Sequence, residues 1–307
     1  MNKINLLVIP APFIREGDSR AKEMIAVLTA LTPAWIAALV FFGWNALIVT
    51  IACVLSALVF EAAVLRTRKK PITAADLTSA AVTGTLLAFC CTPLLPWWMA
   101  ILGSFFAIVV AKHAFGGLGH NIFNPALIGR TFLLASFPVA MTTWASPFSA
   151  ITTATILNKE AHLTYNYWQL FLGNRAGSLG ETCIFALLLG AAYLVWRGTL
   201  ELRVPVAFLG TVALLSFLFC RDPLFQLLAG GLILGAFFMA SDPVTRPVTK
   251  IGRWIFGVGA GVLTVVIRFW GGYPEGVCYA ILIMNAFTPL LDNYTQGRRF
   301  GQVRGKQ

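Results

Sequence analysis

Phe115 to Leu127 reads FGGLGHNIFNPAL and separates two apolar runs, about 97–112 and 124–141. Gly116, Gly117 and Gly119 fall within four residues. Glycine in a helix interior is costly and glycine reaches left-handed backbone cheaply, so the stretch predicts a sharp turn rather than a continuous helix. Asn124-Pro125 then opens the next helix, because proline suits the first helical turn. Two chemistries fit the stretch equally well at this point. It is a plain turn between spans, or a turn whose exposed backbone groups and Asn124 contact a cofactor or an ion.

Outward from that turn, apolar runs of similar length recur over the whole chain. Ten are legible, at about 24–42, 44–65, 76–94, 97–112, 124–141, 181–196, 204–219, 223–241, 253–269 and 275–292. The 307 residues are 58% hydrophobic and 11% charged, with a mean hydropathy of +0.79. A soluble domain carries about a quarter of its residues as charges. A bilayer needs about 20 apolar residues per helix. The expected fold class is therefore an all-α polytopic membrane protein, one integral membrane domain over 1–307. The first 20 residues are not a cleavable leader, since Arg15, Glu16, Asp18 and Arg20 follow a weak apolar run without a small-residue cleavage site.

The net charge of +11 does not read as a nucleic-acid surface, because the basic residues collect at span ends. An even number of spans puts both termini on one side. With that side cytoplasmic, eighteen Lys and Arg lie inside, including Arg66, Arg68, Lys69, Lys70, Lys112, Arg246 and Arg253. Four lie outside: Lys159, Arg175, Arg221 and Arg268. The positive-inside rule then makes 142–180 a periplasmic loop. Arg130 is left within the fifth span, close to the inner face.

GTLLAFCCTP at Gly84–Pro93 is echoed by LGAFFMASDP at Leu234–Pro243, and Asn124-Pro125 by Asn285 to Pro289. Spans three to five thus match spans eight to ten. An offset of five reverses direction through the bilayer, which predicts two inverted five-helix repeats. Six cysteines show no C-x-x-C spacing, and no metal site is legible. His113, His120 and His162 are isolated and are expected in solvated loops. Glu61 closes the second span beside Arg66, its expected partner. Asp242, in Ser241-Asp242-Pro243, sits at the inner end of the eighth span, either as a water-facing helix end or on an ion path. Glu181 opens the sixth span after Gly177-Ser178-Leu179-Gly180, where free helix N-terminal amides would suit an anion such as a flavin phosphate.

The 142–180 loop holds FSAITTATIL at Phe148–Leu157, with Ser149, Thr152, Thr153 and Thr155 close together. This run resembles the flavin-attachment motif of the D subunits of bacterial Rnf electron-transport complexes. FGGLGHNIFNPAL, ASDPVT, Pro96-Trp97-Trp98, GSLGET and Phe42-Gly43-Trp44 occur in the order found there. The similarity runs from about Met24 to Tyr294 and extends more distantly to the B subunits of sodium-pumping NADH:quinone reductases. In that family the last Thr of Asp-x-x-Ser-x-Ala-Thr carries FMN through a phosphoester. Here Ser149 stands in the leading position and Thr155 in the last. The resemblance implies a membrane flavoprotein in a Na⁺- or H⁺-translocating ferredoxin:NAD oxidoreductase of the bacterial inner membrane. It implies covalent FMN on Thr155, whose phosphate the helix start at Gly177, Gly180 and Glu181 would suit, and a noncovalent riboflavin among the spans. Expected partners are the other Rnf subunits, a flavin transferase and the lipid bilayer. The chain has no Rossmann or Walker glycine pattern, so NAD chemistry belongs to partner subunits and no catalytic residue is expected here. From the residues alone, a stand-alone channel or secondary transporter, or a passive scaffold subunit, remain alternatives.

Overall fold

Helix α1 (Arg20–Phe42) and α2 (Trp44–Thr67) are joined by Gly43 alone, whose φ of 58° breaks the helix at one residue. This computed structural model describes residues 20–145, 147, 152–153, 166–271 and 276–296. Helix α3 (Ala74–Cys90) starts in a capping box: Thr73 Oγ1 accepts from the Asp76 amide and Asp76 Oδ2 from the Thr73 amide. Next, α4 (Trp97–Phe105) runs into a π-helical segment, Phe106–His113. Helix α5 (Pro125–Ser136) and the short α6 (Pro138–Thr142) follow. Strands β1 (Trp144–Ala145) and β2 (Thr152–Thr153) form a two-residue antiparallel ladder.

Helix α7 (Tyr167–Leu172) precedes α8 (Ile184–Trp196) and α9 (Arg203–Leu218). The eighth apolar run is broken into α10 (Pro223–Leu228), α11 (Leu232–Leu234) and a π-helical segment, Gly235–Met239. Helices α12 (Lys250–Trp270) and α13 (Val277–Thr295) close the chain. The main helix pairs are α9 with α12, α2 with α3, α12 with α13, α2 with α4 and α1 with α8.

The burial pattern of α2 is that of a membrane helix. Ile48, Ile51, Leu55 and Val59 form an exposed apolar stripe, while the buried face is Ala46, Val49, Cys53, Ala57 and Glu61. Small residues turned inward let backbones approach closely, and large apolar ones turned outward suit lipid. At the α2–α3 crossing a Cβ on Gly84 would lie 2.8 Å from the Val54 Cα, so only glycine permits that approach. Among the described residues, α1, α2 and α12 are individually long and apolar enough to cross a bilayer. Several others are shorter. Helix α8, with 13 residues, spans only about 20 Å at 1.5 Å per residue, against a hydrocarbon core of about 30 Å.

Short helices leave room for irregular backbone, and such backbone is tolerable only when protein surrounds it. The segment between α7 and α8 meets that condition. Leu179 N donates to Cys91 O at 3.1 Å and Gly180 N to Phe89 O at 2.9 Å, at the end of α3. Ser178, Leu179, Glu181 and Thr182 are all buried. In the echoed sequences, α3 and the second π segment both end shortly before the matched prolines, Pro93 and Pro243. The irregularities do not match, because the first copy carries its π segment after α4 and the second carries it in the broken eighth run.

Candidate functional site

The glycine-rich turn builds one wall of a cavity. Gly116, Gly117 and Gly119 take φ of 125°, 104° and 87°, values that side-chain-bearing residues rarely adopt. The predicted sharp turn is thus present, and it delivers Asn124 as the N-cap of α5. Asn124 Oδ1 accepts from the Ala126 amide at 3.1 Å and the Leu127 amide at 3.4 Å. Its Nδ2 donates to Met239 O at 3.3 Å, at the end of the second π segment. One buried amide therefore caps α5 and ties it to the broken eighth run.

Between these elements lies a cavity of about 320 Å³. Its walls are apolar at Val27, Val82, Leu86, Phe237 and Phe238. Its polar groups converge from six places: Glu23 on α1, Ser79 and Thr83 on α3, Lys112 from the first π segment, Asn121 and Asn124 from the glycine-rich turn, Thr199 after α8, and Ser241, Asp242 and Arg246 from the turn after the second π segment. Asp242 Oδ2 accepts from Thr245 Oγ1 at 3.2 Å. Burial pushes its carboxyl above the usual carboxylate range, against the pull of the Val244 amide, Thr245 and Arg246. Asp242 is therefore a partly shielded cavity group rather than a freely hydrated helix end. Arg246, Arg203 and Arg253 gather on Glu201 at the same end of the molecule. Arg68 joins the first π segment there, donating to His113 O at 2.8 Å. Residues assigned to the cytoplasmic side from charge alone thus meet one another around the cavity.

Three sequence expectations change. Glu61 does not pair with Arg66; its Oε1 accepts from Lys112 Nζ at 2.9 Å, and its Oε2 lies 3.1 Å from His113 Nε2. The reason is that Glu61 is on the buried face of α2, turned toward the π segment rather than along its own helix. His113 is accordingly buried, at 2% exposure, and not in a solvated loop, whereas His120 is exposed. Arg130, expected close to the inner face, instead lies beside Glu181, expected at the outer start of the sixth span: Nη1 stands 3.7 Å from Oε1, both side chains buried. The irregular segment before α8 dips inward to meet it.

That dip also places Gly177, Gly180 and Glu181. Helix α8 starts at Ile184 rather than at Glu181. The amides of Leu179, Gly180 and Glu181 already donate to carbonyls of Cys91, Phe89 and Ser178. A Cβ on Gly180 would lie 2.4 Å from that of Phe89, so this glycine serves packing. Arg175 caps the carbonyls of Leu228 and Glu181, and Arg268 those of Gln226 and Ala229. Glu181 thus belongs to a polar knot between the α5 side and the broken eighth run, separate from the cavity. Thr155 and Ser149 lie outside the described residues. Among the described residues no group of His, Cys, Asp and Glu is arranged to hold a metal ion. Sequence alone does not single out Lys112 and Ser79 as site residues. The one signal for them is a lysine next to the glycine-rich turn, at the end of an apolar run.

The model of the NQR2, RnfD, RnfE family matches residues 7–301. The chain is 47% identical to the D subunit of the proton-translocating ferredoxin:NAD(+) oxidoreductase complex of Clostridium ljungdahlii, covering 98% of each chain. It is 43% identical to the D subunit of the Na(+)-translocating ferredoxin:NAD(+) oxidoreductase complex of Acetobacterium woodii, over 100% of this chain and 99% of that one. Against the D subunit of the ion-translocating oxidoreductase complex of Escherichia coli O1:K1 the identity is 38%, over 97% and 99%. With its apolar helices, its inward-facing small residues and a match from end to end, the chain belongs to the NQR2, RnfD, RnfE family of membrane proteins.

Proposed function

We propose that this chain is the D-type membrane subunit of an ion-translocating ferredoxin:NAD oxidoreductase complex, working beside other Rnf subunits in the bacterial inner membrane. The observation that carries this is similarity over essentially the full length to relatives so named. A channel or scaffold reading has no comparable support. The two relatives named for different ions are almost equally similar to this chain, so the overall similarity does not select between Na⁺ and H⁺. The fold is proposed to cross the membrane ten times as two inverted five-helix repeats, with both termini cytoplasmic and 142–180 periplasmic.

In this reading Thr155 carries FMN through a phosphoester made by a flavin transferase, on the strength of its place in the attachment pattern. A noncovalent flavin such as riboflavin fits the cavity by size and by donor set. Ligand pockets run from about 300 to 1,000 Å³, apolar with a few convergent polar groups, and the 320 Å³ cavity meets that description. Ser79, Thr83, Lys112, Asn121 and Asn124 would hold its polar edge, and Phe237 and Phe238 its ring faces. A bound flavin supplies one-electron transfer; the protein supplies position and local charge. Asn124 holds the cavity's two walls in register, and Phe238, buried, with Phe237, half-buried, keeps one wall apolar. Lys112 and Asp242 set the charge at the cavity's edges.

The test is ultraviolet fluorescence of the denatured band in a gel, made alongside the transferase. The wild type is expected to fluoresce and Thr155→Val to be dark at normal membrane levels, with Thr153→Val unaffected. A dark wild-type band excludes covalent flavin, and a dark Thr153→Val with a bright Thr155→Val moves the attachment to Thr153. Acid extraction of the native protein tests the noncovalent flavin separately.

A further inference from the structure

Glu61, Lys112 and His113 form a buried triad that the proposed flavin chemistry does not use as a unit. All three side chains are within 2% of full burial. Lys112 Nζ donates to Glu61 Oε1 at 2.9 Å and to Ser79 Oγ at 3.3 Å. The other oxygen of Glu61 and the Nε2 of His113 face each other at 3.1 Å, yet neither atom has a well-aligned hydrogen bond. Buried polar atoms are almost always paired, so two orphans facing each other across hydrogen-bond distance need an explanation. Lys112 and Ser79 line the cavity, while Glu61 and His113 stand behind them. The line from cavity to His113 is therefore Ser79, Lys112, Glu61, His113, with steps of 3.3, 2.9 and 3.1 Å. The register is not that of an ordinary helix, because Lys112 and His113 end a π-helical segment, a feature frequent at functional sites.

We propose that Glu61, Lys112 and His113 are a proton-binding site, loaded and emptied through the cavity. The unloaded site has a carboxylate, an ammonium and a neutral imidazole, and is electrically neutral. Loading adds one proton. Lys112 passes one of its protons to Glu61 Oε1 and is reprotonated from the cavity by way of Ser79. The protonated carboxyl group then turns over, which brings its O–H to His113 Nε2, and the added proton is shared between Glu61 and His113. Only O–H and N–H bonds form and break, and the site gains one positive charge. Unloading reverses each step.

The charges around the site decide when it loads. Just past the end of α2, Arg68 donates to the His113 carbonyl and disfavours the loaded state. Asp76 on α3 acts on Lys112 in the opposite sense. Glu23 on α1 shares the cavity wall with Lys112, beside its neighbour Lys22. Helix α4 brings no titratable side chain, and the one charge on α5, Arg130, is occupied by Glu181. Asp242 and Arg246 line the same cavity as Lys112 and act on it in opposite senses. A negative charge placed in the cavity favours loading, as expected for a group reduced there. That last consequence rests on the flavin reading; proton binding itself does not.

The experiment is infrared difference spectroscopy of the assembled complex as the pH is lowered, with wild type compared to Glu61→Gln and His113→Gln. His113→Gln keeps a neutral hydrogen-bonding group and removes the ring. The wild type is expected to gain a protonated carboxylic acid band, or an imidazolium ring mode, that the matching variant lacks. The midpoint is expected to move by at least one pH unit in the other variant. Should Glu61→Gln fail to assemble, Glu61→Gln with Lys112→Met replaces it, since that pair leaves no uncompensated buried charge. Difference spectra of wild type and variants that superpose over the pH range of the folded complex overturn the proposal, and the triad is then a permanent ion pair. Flavin is extracted from the same samples. Titration without noncovalent flavin leaves the proton site standing and removes the cavity ligand, whereas flavin without titration does the reverse.

Discussion

Replacing Asn124 by alanine removes three hydrogen bonds at once, and their geometry sets what each is worth. Loss of the N-cap to Ala126 and Leu127 costs about 1 kcal/mol. Loss of the Nδ2 donation strands the carbonyl of Met239, and a buried acceptor left unpaired costs a further 1–3 kcal/mol or so. The total is about 2–4 kcal/mol. At about 2 °C per kcal/mol for a chain of this size, the thermal midpoint in detergent is expected to fall by about 4–8 °C. Asn124→Ser separates the two effects, because serine caps α5 but is too short to reach Met239. It is expected to lose only the second contribution. Extractable flavin reads the functional consequence: both variants free the second π segment from α5 and are expected to lose noncovalent flavin, with the covalent fluorescent band unchanged. A Ser variant as stable as wild type and still loaded with flavin refutes the claim that this amide holds the cavity walls together.

Glu181→Gln removes the carboxylate that faces Arg130 and also acts on Arg268, and is expected to destabilise by about 3–5 kcal/mol, while adding Arg130→Met recovers part of the loss; equal unfolding midpoints for single and double variants deny the coupling. Asp242→Asn removes the acidic group at the cavity edge and is expected to lower ion-coupled electron transfer in vesicles with the complex still assembled. Full ion pumping by that variant returns Asp242 to a merely structural turn. For orientation, an alkaline phosphatase fusion is expected to be active at Lys159 and inactive at Gln307, and the opposite pattern inverts the proposed topology.

Much of the candidate site is legible in the sequence, and for local reasons. The FGGLGHNIFNPAL turn can be placed because glycine and proline act through their own backbone torsions. Asn124 and Asp242 stand out as polar groups at the ends of apolar runs, and both line the cavity. Glu61 pairs wrongly with Arg66 on sequence grounds because a linear reading favours a partner one or two turns away on the same helix. Its real partner is 51 residues distant, on a π segment whose register no apolar periodicity reveals. Gly177 to Gly180 have the composition of an anion-binding helix start, but the amides of Leu179 and Gly180 are consumed by the end of α3.

By itself the sequence determined that this is an all-helical membrane protein, where its apolar runs fall, and which ends carry the positive charge. Each of these depends on transfer of side chains from water to lipid, an energy that sums over residues regardless of their neighbours. Only the tertiary structure decided that α8 is short and the eighth run broken, that irregular backbone fills the difference, and that Arg130 meets Glu181 there. It alone brought Ser79, Lys112, Asn124 and Asp242 around one cavity, with Glu61 and His113 behind it. A buried charge has no stable place until a partner from elsewhere in the chain neutralises it, and which partner arrives is a property of packing, not of any local stretch.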